Sequence, residues 1–291
     1  MFVFKAAVVG AGTMGGEIAQ VIASADIPVV LKDVDQKFVD AGLQKAREVT
    51  QGQVAKLVKK ERITQEQADQ QVEELLGRIH GTLDYDDFGD VDFVIEAVPE
   101  KMEIKQRVFA DLDASTPGHA ILSSNTSGLS ISEIADATSR PDKVVGFHFF
   151  WPASYMRLIE VIEGDETSPE TAQAAANFAQ AIKKFPVRCA ECPGFVVNRI
   201  LGSLASEIWR YQDESGIDVK DIDKFIQENR LAPMGPFFLS DMTGLDTTLK
   251  VAKDLREAYG DRFYVHNTME QLVEAGNLGQ KTQKGFYEHG S

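Results

Sequence analysis

His148 and Glu160 each interrupt an apolar run in GFHFFWPASYMRLIEVIEG (146–164). Histidine is the side chain best suited to accept a proton near neutral pH. A buried imidazole that must become imidazolium needs a carboxylate to orient it and balance its charge. An alcohol that loses hydride from its carbon must also lose its hydroxyl proton, and this pairing suits that task. Ser127, in SSNTSGLSI, follows a run that reads as a strand. Ligands gather at strand ends in open α/β sheets, so its hydroxyl is placed to hold a substrate oxygen. Each signal is weak alone. A satisfied core histidine, an edge glutamate and a serine capping the helix begun by LSISEIADA would read the same way.

A cofactor site is more specific. Gly10-Ala-Gly12-Thr13-Met14-Gly15 fits G-x-G-x-x-G, follows the β-rich run VFKAAVV and opens the helical spacing of EIAQVIASA. The next apolar run, PVVLKD, ends on Asp33, in the context the dinucleotide motif requires. Gly10 permits the tight turn, Gly12 the approach of backbone to pyrophosphate, and Gly15 close helix–strand packing. Thr13 and Met14 lie in the same turn, at a helix start whose amides suit phosphates. Asp33 is placed to accept ribose hydroxyls and would repel a 2′-phosphate, which favours NAD over NADP. A purely structural glycine turn is the plain alternative.

The net charge of −15 argues against nucleic acid or an anionic membrane surface as partner. Against that background, 45–62 carries Lys45, Arg47, Lys56, Lys59, Lys60 and Arg62 with only Glu48 and Glu61. Either this is a solvated helix face, or it receives a ligand with several phosphates. Cys189 and Cys192 cannot complete a structural zinc site and have no redox-fold pattern around them. With no leader-like N-terminus and no run near the roughly 18 apolar residues of a membrane span, they read as reduced thiols of a cytoplasmic protein.

These groups need a sheet to position them. Strand, glycine turn, helix and strand at the N-terminus form a βαβ unit and predict a parallel sheet. Residues 36–78 are polar and helical, broken near Ile63-Thr64, and predict a projecting helical hairpin. Strands are expected at 91–98, 120–125, 143–150, 158–164 and 185–189, with a helix at 169–182. From Pro193 the spacing is helical, with turns at 228–237 and 259–263, and PGFVVNR reads as a first helical turn with proline near its start. The expected architecture is α/β: a Rossmann-type, mostly parallel sheet with a projecting helical hairpin over 1–188, then a mostly helical second domain over 189–291.

GAGTMG, VIEAVPE, SNTSGL, GFHFF-P, PGFVVNRI and PMGPF, in this order and spacing, resemble the L-3-hydroxyacyl-CoA dehydrogenase family across nearly the whole chain. The resemblance implies NAD-dependent interconversion of (S)-3-hydroxyacyl-CoA and 3-ketoacyl-CoA. It implies His148 as catalytic base and Glu160 as its partner, with Ser127 and Asn198 around the substrate oxygens. Glu100, Lys105 and Lys281 correspond to cofactor contacts, Lys56 to a coenzyme A contact, and the helical domain to a homodimer surface. Asn198 read alone is equally a helix-surface or interface residue, and Glu100 a strand end. The chain departs from the pattern at Trp151, on the cofactor side, where asparagine is usual. Gly128 replaces a common serine, and Gln283 a usual glycine. Three rival readings remain: a dehydrogenase of a small free hydroxy acid, a non-catalytic NAD-binding protein whose pocket Trp151 blocks, and one segment of a larger fused β-oxidation enzyme.

Overall fold

The computed structural model describes residues 2–290. They divide into two compact units, one running to Cys192 and one from Pro193. The expected division at 188/189 would fall inside the last strand of the first unit, which continues to Ala190.

The first unit alternates strands and helices in the order β1 (Ala6–Val9), α1 (Thr13–Ala23), β2 (Val29–Lys32), α2 (Gln36–Lys59), α3 (Gln65–Leu76), β3 (Ile79–Thr82), β4 (Phe93–Glu96), α4 (Met102–Ser115), β5 (Ile121–Ser124), α5 (Ile131–Ala135), β6 (Val144–Phe149), β7 (Leu158–Glu163), α6 (Pro169–Ala181) and β8 (Phe185–Ala190). The eight strands lie in the order β3-β2-β1-β4-β5-β6-β7-β8. β1 to β6 are parallel, β7 turns antiparallel to β6, and β8 is parallel to β7. Every residue of β1, β2, β4 and β5 is buried, as expected of parallel strands covered on both faces. Phe93 and Phe147 meet edge to face at 5.1 Å, and Phe178 of α6 packs on both.

The sequence did not announce β3. IHGT holds one large apolar residue and a glycine, because it is an edge strand under α2. A Cβ on Gly81 would come within 2.5 Å of Val39, so the helix leaves no room for a larger residue. α2 and α3 form the predicted hairpin. Asp35 caps α2, and Thr64 and Gln67 form a reciprocal capping box that starts α3. The chain reverses through Glu61, which takes a left-handed φ of 54°.

The second unit is helical: α7 (Val197–Ser215), α8 (Val219–Glu228), α9 (Pro236–Thr243), α10 (Leu245–Tyr259) and α11 (Asn267–Glu274). Its core gathers Trp209, Phe237, Leu245, Leu249, Ala252, Val265 and Met269. Buried Asp241 accepts from the amides of Phe286 and Tyr287 and pairs with His289, pinning the tail. The reading of PGFVVNR as a first helical turn needs correction. Gly194 and Phe195 have φ of 74° and 44°, outside helical geometry, so α7 begins only at Val197.

Candidate active site

His148 and Glu160 face each other as direct partners across the antiparallel β6–β7 ladder. Side chains alternate along strands, and Val145, Phe147, Phe149, Ile159 and Val161 all enter one apolar cluster. His148 and Glu160 therefore share the opposite face, where directly opposed side chains can touch. His148 Nδ1 lies 2.8 Å from Glu160 Oε2, with the histidine 5% and the glutamate 0% exposed. An ionised carboxylate only accepts, so a proton on Nδ1 is the one this contact would use. The imidazole is thus oriented and paired with charge, which a merely space-filling histidine would not require.

A tier of groups, of which the sequence reading named Glu100 and Lys105, holds the Ser127 turn near the β5 and β6 strand ends. Asn125 Oδ1 accepts the Phe149 amide at 2.8 Å, tying the end of β5 to the residue beside His148. Glu100 Oε1 accepts from Thr126 Oγ1 at 2.6 Å and from the Ser127 amide at 2.9 Å. Glu100 therefore does more than follow a strand. Its other oxygen lies 3.3 Å from Lys105 Nζ, which also donates to both oxygens of Glu96 at 2.7 and 2.9 Å. Ser124 Oγ completes the group by donating to Glu96 at 2.6 Å. Lys105 is 1% exposed and Glu96 fully buried, so this lysine spans the two carboxylates from within the core. A carboxylate ending an all-apolar strand in VIEAVPE was the available signal for Glu96. Ser130, rather than Ser127, caps α5.

The glycine turn forms a cradle. Gly10 has φ 102°, and a Cβ there would strike the carbonyl of Ala97 at 2.6 Å. A Cβ on Gly15 would collide with the Gly10 oxygen, while one at Gly12 would meet nothing within 4 Å. The open side is thus at Gly12, beside Thr13 and Met14, where α1 starts without a side-chain cap. Asp33 accepts the Ala11 amide at 2.7 Å and that of Val34 at 2.6 Å, which fixes its carboxylate at the rim. Lys32 is buried with its ammonium 4.4 Å from the Tyr85 ring centre, so it is not placed to receive a 2′-phosphate. These residues fit a dinucleotide with free ribose hydroxyls.

The remaining candidates stand elsewhere. Trp151, half exposed, follows β6 by two residues. Lys56 is exposed in the last turn of α2. Lys45 and Arg47 pair with Glu17 and Glu73, which leaves Lys56, Lys59, Lys60 and Arg62 as the cations around the hairpin tip. Asn198 and Lys281 belong to the second unit. Asn198 lies in the first turn of α7, and Lys281 donates to Asp246 at 2.7 Å. Gln283 keeps a left-handed backbone (φ 60°), the conformation glycine adopts most readily.

The family model of the 3-hydroxyacyl-CoA dehydrogenase NAD binding domain matches residues 5–192, and that of the C-terminal domain matches 194–289. The chain belongs to the 3-hydroxyacyl-CoA dehydrogenase family. A probable 3-hydroxybutyryl-CoA dehydrogenase of Deinococcus radiodurans is 39% identical over 286 residues, covering 98% of this chain and 100% of that protein. The fatty acid oxidation complex subunit alpha of Acinetobacter baylyi is also 39% identical, over 98% of this chain but 39% of its own length. The crystal structure of an (S)-3-hydroxybutyryl-CoA dehydrogenase from Ralstonia eutropha superposes with a TM-score of 0.90 at 35% identity, covering both chains fully. As a family member the chain is an NAD-dependent oxidoreductase, in accord with the cradle at Gly12 and the fixed Asp33. Among the described residues, no helix is long and apolar enough to cross a membrane.

Proposed function

We propose that the chain interconverts (S)-3-hydroxyacyl-CoA and 3-ketoacyl-CoA, with His148 and Glu160 as the base and its charge partner. The observation that carries this reading is the buried 2.8 Å contact between them across the β6–β7 ladder, in the same unit as the dinucleotide cradle. NAD, when bound, supplies the hydride acceptor. His148 Nε2 takes the hydroxyl proton as C3 becomes a carbonyl, and Glu160 holds Nδ1–H and balances the imidazolium. In the reverse direction the same nitrogen returns the proton. Ser127 holds the substrate oxygen, in a turn fixed by Glu100, and Asn198 supplies a second polar group. Lys56 and its neighbouring cations receive the phosphates of coenzyme A.

The first domain serves the cofactor through Gly10, Gly12, Thr13, Met14, Gly15, Asp33, Glu100, Lys105 and Trp151; the family resemblance adds Lys281 as a cofactor contact. The second domain serves substrate and a homodimer. Support for the dimer comes from α7, which leaves Ile200, Leu201, Leu204 and Tyr211 at least half exposed, more apolar surface than a solvated helix needs. The cytoplasm, with its supply of NAD and acyl-CoA, is the proposed site of action.

The test is consumption of NADH with acetoacetyl-CoA, with NADPH and free acetoacetate run beside it. Turnover with NADH and the thioester alone is expected, and His148→Ala should abolish it while leaving NADH binding nearly intact. Silence of the wild type despite NADH binding would overturn the proposal, and equal turnover of free acetoacetate would move it to small hydroxy acids.

A further inference from the structure

The segment between β6 and β7, residues 150–157, begins two residues after His148 and presents Trp151 and Tyr155 at 50% and 78% exposure. Exposed aromatic residues on a connection of this kind would ordinarily move. Here two buried charges hold it. Glu17, on α1 and only 2% exposed, accepts from the Ser154 amide at 3.1 Å and from Ser154 Oγ at 3.0 Å. Lys184, 7% exposed, donates to the carbonyls of Ala153 at 2.6 Å and Met156 at 2.7 Å. The carboxylate thus takes the donors of the loop and the ammonium its acceptors. Burial lowers the affinity of Lys184 for its proton, and the nearby Glu17 charge opposes that effect.

Glu17 also reaches beyond the loop. Its other oxygen lies 3.3 Å from Lys45 of α2, the helix that carries Lys56. α1 and α2 approach there backbone to backbone, since a Cβ on Gly16 would meet the Gly42 oxygen at 2.6 Å. One buried carboxylate therefore touches the helix of the dinucleotide cradle, the hairpin and the loop beside His148. A carboxylate fully removed from water is retained at a cost unless its partners repay the desolvation. A helix–helix contact already made by two glycines gives no reason to place one there.

We propose that Glu17 is a positioning residue: with Lys184 it clamps the 150–157 loop to the cofactor helix and so sets where Trp151 stands relative to His148. The inference rests on the dehydrogenase reading and adds to it a residue that touches neither substrate nor cofactor. Trp209 is 4% exposed, so the emission that iodide quenches belongs to Trp151, and this gives a readout independent of turnover.

The experiment compares wild type, Glu17→Ala, Glu17→Gln and Lys184→Met in kinetics with acetoacetyl-CoA, in NADH affinity and in iodide quenching. Glu17→Ala and Lys184→Met should lower kcat/KM for the thioester by about tenfold to a hundredfold, the scale of a small misplacement near the reacting atoms. Trp151 should become more quenchable, and any loss of NADH affinity should be smaller than the loss of kcat/KM for the thioester. Glu17→Gln retains an oxygen for both Ser154 donors and should restore most activity. Unchanged kinetics and quenching in both disruptive variants would overturn the clamp, as would a loss confined to NADH affinity. If Glu17→Ala does not fold, Lys184→Met decides alone. A wild type inert toward every thioester would sink the dehydrogenase reading while the quenching still judged the clamp.

Discussion

Glu160→Gln separates charge from geometry at the proposed base. The amide oxygen can still accept the Nδ1–H of His148, so the tautomer and ring orientation are kept while the negative charge is lost. With Nδ1 and Oε2 2.8 Å apart, the centres of an imidazolium and this carboxylate would lie about 4 Å from each other. At an effective dielectric near 20 that attraction is about 4 kcal/mol. The amide dipole returns part of it, leaving a loss of about 2 to 4 kcal/mol. At about 1.4 kcal/mol per decade, kcat should fall by roughly 30- to 1000-fold. The imidazolium forms only as the hydroxyl proton moves, so the loss belongs to kcat and not to binding. The assay is NADH formation from 3-hydroxybutyryl-CoA under saturating NAD, with NADH affinity measured separately by fluorescence. A fall in kcat smaller than about threefold would refute the charge-balancing role, since it corresponds to under 1 kcal/mol. An equal loss of NADH binding would show that the pair only holds the sheet together.

Lys56→Glu should raise the KM for acetoacetyl-CoA about fivefold at low salt without altering that for NADH, and the effect should shrink as salt screens the phosphates. Steady-state kinetics at two ionic strengths checks this. Burial holds His266 below the ordinary histidine value of 6.5, and its Nδ1 accepts from the Met269 amide at the start of α11. The unfolded chain thus binds the proton more readily. Stability is complete above about pH 6.5 and falls below it by up to about 1.4 kcal/mol per pH unit, which urea midpoints would show. His266→Asn keeps a cap without the titration and should flatten that slope. Gln283→Gly should stabilise the second unit by about 1 kcal/mol by relieving the left-handed backbone, read as a rise in Tm.

The elements that carry the site were legible because their patterns are local. A glycine turn between an apolar run and a helical one, and an acidic residue ending the next run, require only sequence neighbours to be read. His148 and Glu160 were legible as types, but their pairing depended on β7 running antiparallel to β6, which periodicity does not state. β3 was missed because an edge strand beneath a helix needs little hydrophobicity and, at Gly81, no side chain. The groups around Ser127 were missed for a different reason. Glu96, Ser124 and Asn125 each alone look like a polar residue at an element's end, and the partners that give them a task, Lys105, Glu96 and Phe149, lie 9, 28 and 24 positions away.

The basic run shows why counting charges is insufficient. Six cations against two anions suggested a uniform patch, yet the fold gives two of them different work. Arg47 closes onto Glu73 across the hairpin, and Lys45 turns inward to Glu17. The cations at Lys56, Lys59, Lys60 and Arg62 cluster where α2 ends, so the favourable field for phosphate is concentrated at the hairpin tip. A helix C-terminus already favours cations through its dipole, which lowers the self-repulsion of holding Lys56 and Lys59 in its last turn. That lets the tip stay positive in a chain of net charge −15 without a compensating carboxylate on every lysine. Lys45, by contrast, is committed to Glu17. Neutralising it should therefore disturb the 150–157 loop through Glu17, whereas neutralising Lys56 should weaken only the coenzyme A contact. On the proposed reading the two lysines, eleven positions apart on one helix, would divide substrate capture from the positioning of the reactive end.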